Sequence, residues 1–162
     1  MNFSRIYEMQ KKLDAAYTID PKITEDKIGF FHKRLLALLV EVGEFANEIQ
    51  TFKYWKKHKN VDMKKVSEEF ADVMHFQTSL AYRLGASEII EPLILDEDIN
   101  LQLIKYYRLI VNLMEDLSKE KIEEVLSVSI ALAHMVGIDD QQIFDNYEAK
   151  NKINYERIRN NY

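Results

Sequence analysis

Residues 28–52 read IGFFHKRLLALLVEVGEFANEIQTF, and this stretch decides the fold class. Large apolar side chains recur in it at alternating steps of three and four residues, at positions 28, 31, 35, 38, 42, 45, 49 and 52. This spacing places them along one side of an α-helix. A helix with so long an apolar stripe is expected to pack against a partner helix over most of its length.

Five further amphipathic segments flank this helix, over residues 3–17, 60–85, 99–117 and 118–137 and from Asp139 towards the C-terminus. Thr24 is expected to cap the second helix, and Asn60 or Asp62 the third. The 162 residues include only four glycines and two prolines, whereas these two types make up about 12% of an average protein. Because the turns of a sheet need such residues, we expect an all-α bundle of about six helices. One domain over residues 1–162 suits this length.

Composition excludes several classes of function. The chain has no cysteine, so disulfides, thiolate zinc sites and cysteine nucleophiles are ruled out. Its formal net charge of −5 argues against a general nucleic-acid binder. No apolar run approaches the ~20 residues of a membrane span, and the N-terminus lacks the pattern of a signal peptide. We therefore expect a soluble cytoplasmic protein with neither nucleic acid nor membrane as a partner.

Acidic residues follow the apolar stripes of two consecutive helices. Glu41 and Glu44 belong to a row on the second helix that also includes Glu48, and Glu69 and Asp72 repeat the spacing on the third. Residues three apart lie side by side on a helix, so these charges repel one another unless a cation lies between them. Carboxylate oxygens are the ligands of Mg²⁺, which often bridges them to substrate phosphates. The alternative interpretation is a solvated acidic surface. Gly43, between the first two glutamates, suggests that another group approaches the helix closely there.

Polar side chains replace apolar ones at three other places. Gln10 and Asp14 lie on the apolar face of the first helix, where an amide could read a nucleobase edge or simply be satisfied within the core. Trp55 and Lys56 follow the second helix, where they could contact a base and phosphates, or the lysine could complement the helix end. The sixth helix shows a polar face that suits a phosphate and sugar clamp or belongs to a polar tail; this face contains Lys150, Asn151, Asn154 and Arg157.

These motifs together resemble a known family. E-x-x-E at Glu41 and Glu44, followed by E-x-x-D at Glu69 and Asp72, is similar to the metal motif of the all-α nucleoside triphosphate pyrophosphatases, which include the MazG-like enzymes. The surrounding segments QKKLD (10–14), FKYWK (52–56), ADVMHF (71–76) and YEAKNKINYER (147–157) resemble those of the dimeric all-α dUTPases. The resemblance extends from the first helix to the last.

The resemblance implies a Mg²⁺-dependent dUTP diphosphatase that converts dUTP, and also dUDP, to dUMP. This reaction limits uracil in DNA and supplies dUMP. Two or more Mg²⁺ ions would be held by Glu41, Glu44, Glu69 and Asp72, with Glu41 also orienting or deprotonating the attacking water. Substrate contacts are implied for Gln10, Asp14, Trp55, Lys56, Phe76, Lys150, Asn151, Asn154 and Arg157. Phe76 would exclude a 2′-hydroxyl.

Two other functions remain open from the sequence. The family commonly has asparagine at the position of Asp14, so a related pyrophosphatase acting on dCTP or on a broader set of nucleotides is the first alternative. The second is a helical interaction protein without catalytic activity.

A homodimer is expected from the surplus of apolar residues. Leu36 and Val40 lie off the main stripe of the second helix, and the fourth and fifth helices are equally rich in apolar side chains. One small bundle cannot readily bury all of them, and two-fold pairing is the commonest solution. Leu109 and Leu126 are candidate interface residues unless they belong to the protomer core.

Overall fold

A computed structural model of the chain describes residues 1–17 and 27–160. Within these residues the chain forms six α-helices: α1 (Ser4–Tyr17), α2 (Lys27–Ile49), α3 (Met63–Arg83), α4 (Ile99–Asn112), α5 (Lys119–Met135) and α6 (Asp140–Arg159). The predicted all-α fold is confirmed. The expected cap at Thr24 lies outside the described residues.

Helix α3 lies at the centre and contacts α1, α2, α5 and α6, while α4 packs on α2 and α5. The seam between α2 and α3 is closed by the rings of Phe45 and Phe70, whose centroids are 5.3 Å apart. Val42 and Val73 are fully buried beside them. The part of the apolar stripe between Leu35 and Ile49 is buried and α2 packs on α3, which is the partner helix that the stripe predicts.

The helix ends follow local capping chemistry. The side chain of Asp62 accepts a hydrogen bond from the backbone N–H of Lys64 and begins α3. Asp139 and Gln142 form a reciprocal capping box at the start of α6. Gly85 and Gly137, which follow α3 and α5, adopt the positive φ angles of +73° and +88° that favour glycine.

Two predicted helix ends are wrong. Helix α2 ends at Ile49 rather than at Phe52, because Gln50 turns into the left-handed region with a φ of +59°. The buried Gln50 side chain then donates to the backbone oxygen of Asn60. Helix α4 ends at Asn112 rather than at Leu117, and a turn over residues 113–115 follows it.

Candidate active site

Three carboxylates from α2 and α3 converge on one point. Oxygen atoms of Glu41, Glu69 and Asp72 all lie within 4.8 Å of one another, and the three side chains are half-buried. Glu69 and Asp72 are neighbours on one face of α3, and the packed α2–α3 seam brings Glu41 against them. Glu44 is more exposed and lines the same cleft. The predicted convergence is therefore present for Glu41, Glu69 and Asp72, and Glu44 lines the cleft beside them.

Burial and mutual repulsion disfavour the ionised form of the carboxylates in this cluster. Burial raises the pKa of Glu41 to about 7, and the charges of Asp72, Glu44 and Glu69 contribute. Burial first, and then neighbouring carboxylates, also raise the pKa of Glu69. The pKa of Asp72 is raised by burial, although the Lys150 ammonium opposes the shift. A cluster of this kind is stabilised by added positive charge.

Helix α6 supplies positive charge to the cluster. Lys150 Nζ lies 2.5 Å from Asp72 Oδ2, and both side chains are largely buried. Asn154 and Arg157 follow at one and two turns on the same helix and line the cleft. The fully buried ring of Tyr147 holds α6 in place. The predicted polar face of the last helix is thus docked against the carboxylates and is not a free tail.

The amide of Gln10 is enclosed by polar partners at the other end of the cleft. Its Nε2 donates to Asp14 Oδ1 at 2.7 Å, so its oxygen faces away from that carboxylate. This oxygen accepts a hydrogen bond from the Tyr147 hydroxyl at 2.7 Å and lies 2.9 Å from His75 Nδ1. Since an amide oxygen only accepts, Nδ1 of His75 carries the proton.

His75 therefore presents an unprotonated nitrogen. Its ring stacks on Tyr147 at 4.2 Å, and burial lowers its pKa to about 3, which keeps the imidazole neutral. Nε2 is then an acceptor, and it is buried without a partner among residues 1–17 and 27–160. Buried polar atoms of this kind are uncommon in folded proteins. His75 lines the cleft, so Nε2 is an acceptor that a ligand could satisfy.

Asp14 is a buried carboxylate that pairs with hydrogen-bond donors and cations from three helices. Besides Gln10, it accepts hydrogen bonds from the hydroxyls of Ser79 and Tyr82. Arg83 lies 3.0 Å and Arg34 3.4 Å from its two oxygens. Burial alone would raise the pKa of Asp14, but the Arg34 charge and the hydrogen bonds from Ser79, Gln10 and Tyr82 hold it below the usual value. Asp14 is therefore ionised and already engaged by donors of the protein.

One cleft of about 800 Å³ connects these two ends. Ten of the residues expected to bind metal or substrate line it: Gln10, Asp14, Glu41, Glu44, Glu69, Asp72, Phe76, Lys150, Asn154 and Arg157.

The other three expected residues are not among its lining. Trp55 lies in the turn after α2, where it is 61% exposed and packs edge-on against Phe52 and Tyr54. Lys56 donates to the Gln50 side chain. Asn151 is buried in α6, where its side chain interacts with the Tyr147 hydroxyl.

Sequence reasoning missed Arg34 and Phe30, which also line the cleft. The spacing in the sequence could have found Arg34. Going back from Glu44, steps of three, four and three residues lead along the same face of α2 to Glu41, Ala37 and Arg34. The sequence does not distinguish His75 from a core histidine, because a lone histidine carries no spacing information.

A family model described as dUTPase matches residues 2–162. The chain belongs to the dUTPase family. It is a dUTP diphosphatase, which hydrolyses dUTP to dUMP and takes a deoxyuridine nucleotide as its substrate. The interpretation as a non-catalytic interaction protein is therefore wrong. No match was found among curated proteins.

The acidic cluster is the candidate metal site of this dUTPase. The helices that the structure describes include none that is both long and apolar enough to cross a membrane.

Proposed function

We propose that dUTP is hydrolysed in this cleft and that Glu41, Glu44, Glu69 and Asp72 hold two or more Mg²⁺ ions there. The convergence of three carboxylates within 4.8 Å carries the proposal. The donor set fits, because carboxylate oxygens are the ligands that Mg²⁺ prefers. When bound, the ions would neutralise phosphate charge and lower the pKa of a water molecule.

Glu41 is the proposed catalytic base. Its carboxylate lies within 4.8 Å of those of Glu69 and Asp72, so it can accept a proton from a water molecule that the metal ions would activate. The half-buried position fixes the carboxylate against α3, so it can orient the water towards the phosphoanhydride bond between the α- and β-phosphates. Cleavage of this bond releases dUMP and pyrophosphate from dUTP, and dUMP and phosphate from dUDP.

Helix α6 provides the proposed phosphate contacts. Lys150 and Arg157 place their cations beside the carboxylates, where they can bind the phosphate oxygens and stabilise charge that develops during hydrolysis. Asn154 and Asn151 are assigned to the sugar and phosphates.

The other end of the cleft is the proposed base site. Uracil has an N3–H that suits the free acceptor of His75, whereas N3 of cytosine carries no hydrogen. Gln10 supports this contact by holding His75 Nδ1, and Asp14 in turn holds Gln10. Phe76 lines the cleft and is assigned to the deoxyribose. Trp55 and Lys56 are proposed to contact the nucleotide from the exposed turn.

A homodimer of one-domain protomers completes the proposal. Exposed apolar side chains on the contacting helices α2 and α4, and in the turn after α4, support pairing; these are Leu36, Val40, Leu101, Ile104, Val111 and Met114. The contacts of the central helix α3 with four other helices support one domain over residues 1–162.

A nucleotide panel tests the proposed chemistry. The purified chain is incubated with dUTP, dUDP, dCTP and UTP, with Mg²⁺ or with excess EDTA, and the products are separated by ion-exchange chromatography. We expect dUMP from dUTP and dUDP with Mg²⁺, far slower turnover of dCTP and UTP, and none with EDTA. Full activity in EDTA would refute the metal assignment.

A further inference from the structure

Arg34 lines the cleft but has no role in the proposal above. It lies on α2, seven residues before Glu41, which is about 10 Å along the helix axis. Its side chain is only 17% exposed. A charged group this buried needs partners.

The contacts of Arg34 leave donor capacity unused. One terminal nitrogen lies 3.4 Å from Asp14 Oδ1, and the guanidinium lies over the Phe30 ring at 4.3 Å. Nε is buried and has no hydrogen-bond partner within residues 1–17 and 27–160. Because a guanidinium carries five N–H donors, this group can donate to a ligand while it stays paired with Asp14.

The position of Arg34 favours a nucleobase over a phosphate. The guanidinium is held by the Asp14 carboxylate, which it shares with Arg83, and Phe30 makes this end of the cleft aromatic. The proposed phosphate cations, Lys150 and Arg157, lie instead on α6 near the carboxylates. Both Arg34 and Glu41 line the cleft, separated by about 10 Å along the axis of α2, so a nucleotide with its phosphates at the carboxylates can place the edge of its base beside Arg34.

We propose that Arg34 donates a hydrogen bond to O4 of uracil and so selects uracil over cytosine. Cytosine carries an amino group at this position, which is itself a donor and would face the guanidinium N–H groups without an acceptor. The inference rests on the proposed function, in which the cleft binds the nucleotide. It gives Asp14 a positioning role, because that carboxylate holds the guanidinium in place.

Arg83 is a matched control. It also pairs with Asp14, at 3.0 Å, and its guanidinium also lies over the Phe30 ring, at 4.8 Å. It is not among the cleft-lining residues. Loss of either arginine therefore removes one positive partner of Asp14, but only loss of Arg34 removes a donor from the cleft.

The test compares Arg34→Met and Arg83→Met with the parent. The readouts are kcat/KM for dUTP and dCTP, the affinities for dUMP and dCMP by calorimetry, and the melting temperature. For Arg34→Met we expect kcat/KM with dUTP and affinity for dUMP to fall about 10- to 100-fold, with little change for the cytosine nucleotides. Arg83→Met should keep the parental preference. If Arg34→Met does not fold, Arg34→Lys replaces it in the comparison. Lysine keeps a positive charge beside Asp14 but lacks the planar guanidinium with its several N–H donors.

An unchanged uracil-to-cytosine ratio in the folded Arg34 variant would overturn the inference. So would an equal loss of preference in Arg83→Met. Asp72→Asn, assayed in parallel, separates this failure from failure of the proposed function: if Asp72→Asn keeps parental turnover, the cleft is not the active site.

Discussion

The ionisation of Glu41 links the metal site to the stability of the protein. Its pKa rises from the ordinary 4.5 to about 7 on folding. Below pH 4.5 the group is protonated in both states and has no effect. Between about pH 4.5 and 7 the unfolded chain ionises first, so the folded state loses stability as pH rises, and above 7 the loss stays constant.

Glu41→Gln should remove this pH-dependent loss. Without divalent metal, we expect the melting temperature of the variant, relative to the parent, to increase from pH 4.5 to pH 7.5. Glu48→Gln is the control, because Glu48 lies on the same row of α2 but outside the cleft lining. A difference between Glu41→Gln and the parent that does not vary with pH would contradict the assigned burial and crowding.

The two nitrogens of His75 can be tested separately. His75→Asn keeps a donor near Nδ1 for Gln10 but lacks the acceptor, whereas His75→Gln places a polar group near Nε2 and loses the bond to Gln10. If Nε2 reads uracil, kcat/KM for dUTP relative to dCTP should fall about 10-fold or more in His75→Asn and fall less in His75→Gln. The reverse order would show that His75 acts only by holding Gln10.

Residue spacing predicted the charged parts of the site better than its polar network. Glu41, Glu44, Glu69 and Asp72 lie on two adjacent helix faces, so their convergence follows from helical periodicity and one packing contact. The partners of Asp14 come from helices far apart in the sequence, and no local pattern encodes which side chains meet there. The buried acceptor of His75 depends on the orientation of the Gln10 amide, which only the three-dimensional arrangement determines.

Within α2, Gly43 has a structural explanation. A Cβ atom at this position would lie 3.2 Å from the hydroxyl of Tyr107 on α4. The predicted close approach is therefore present, and it comes from a neighbouring helix. The contact is slightly too tight for an added methyl group, but the hydroxyl is the end of a long side chain and can shift.

Gly43→Ala should stabilise the protein by about 0.5–1 kcal/mol, since alanine favours a helix interior by about 1 kcal/mol over glycine. Chemical denaturation of the variant measures this change. In a Tyr107→Phe background the oxygen is absent, so the gain from Gly43→Ala should be larger. A loss of stability in both backgrounds would show that the backbones of α2 and α4 cannot separate.

The sequence was sufficient to predict that the six helices exist, but it predicted the residues at which they end less well. Asp62 and Asp139 are strong cap residues, and the structure uses both. The end of α2 was misplaced because Phe52 continues the apolar spacing, whereas the left-handed turn at Gln50 is stabilised by contacts with residues 56 and 60. Periodicity reports which faces are apolar but does not report where tertiary contacts end a helix.

For the whole molecule, light scattering tests the proposed dimer. A homodimer should have twice the protomer mass of 19.2 kDa at micromolar concentration. Ile104→Asp, at a position that is 56% exposed, should give a folded monomer. Leu126 is fully buried in the protomer core and Leu109 packs against that core, so aspartate at Leu126 should unfold the chain instead. A parent mass near 19 kDa would refute the dimer.

The central claim is that the acidic cluster of α2 and α3 performs the dUTP hydrolysis. The most direct measurement is kcat for dUTP with saturating Mg²⁺ in the parent, Asp72→Asn and Glu48→Gln, with circular dichroism to confirm folding. We predict that Asp72→Asn lowers kcat at least ~10²-fold, about 2.7 kcal/mol of transition-state stabilisation, and that Glu48→Gln stays within a few-fold of the parent. A folded Asp72→Asn variant with near-parental turnover would contradict the account.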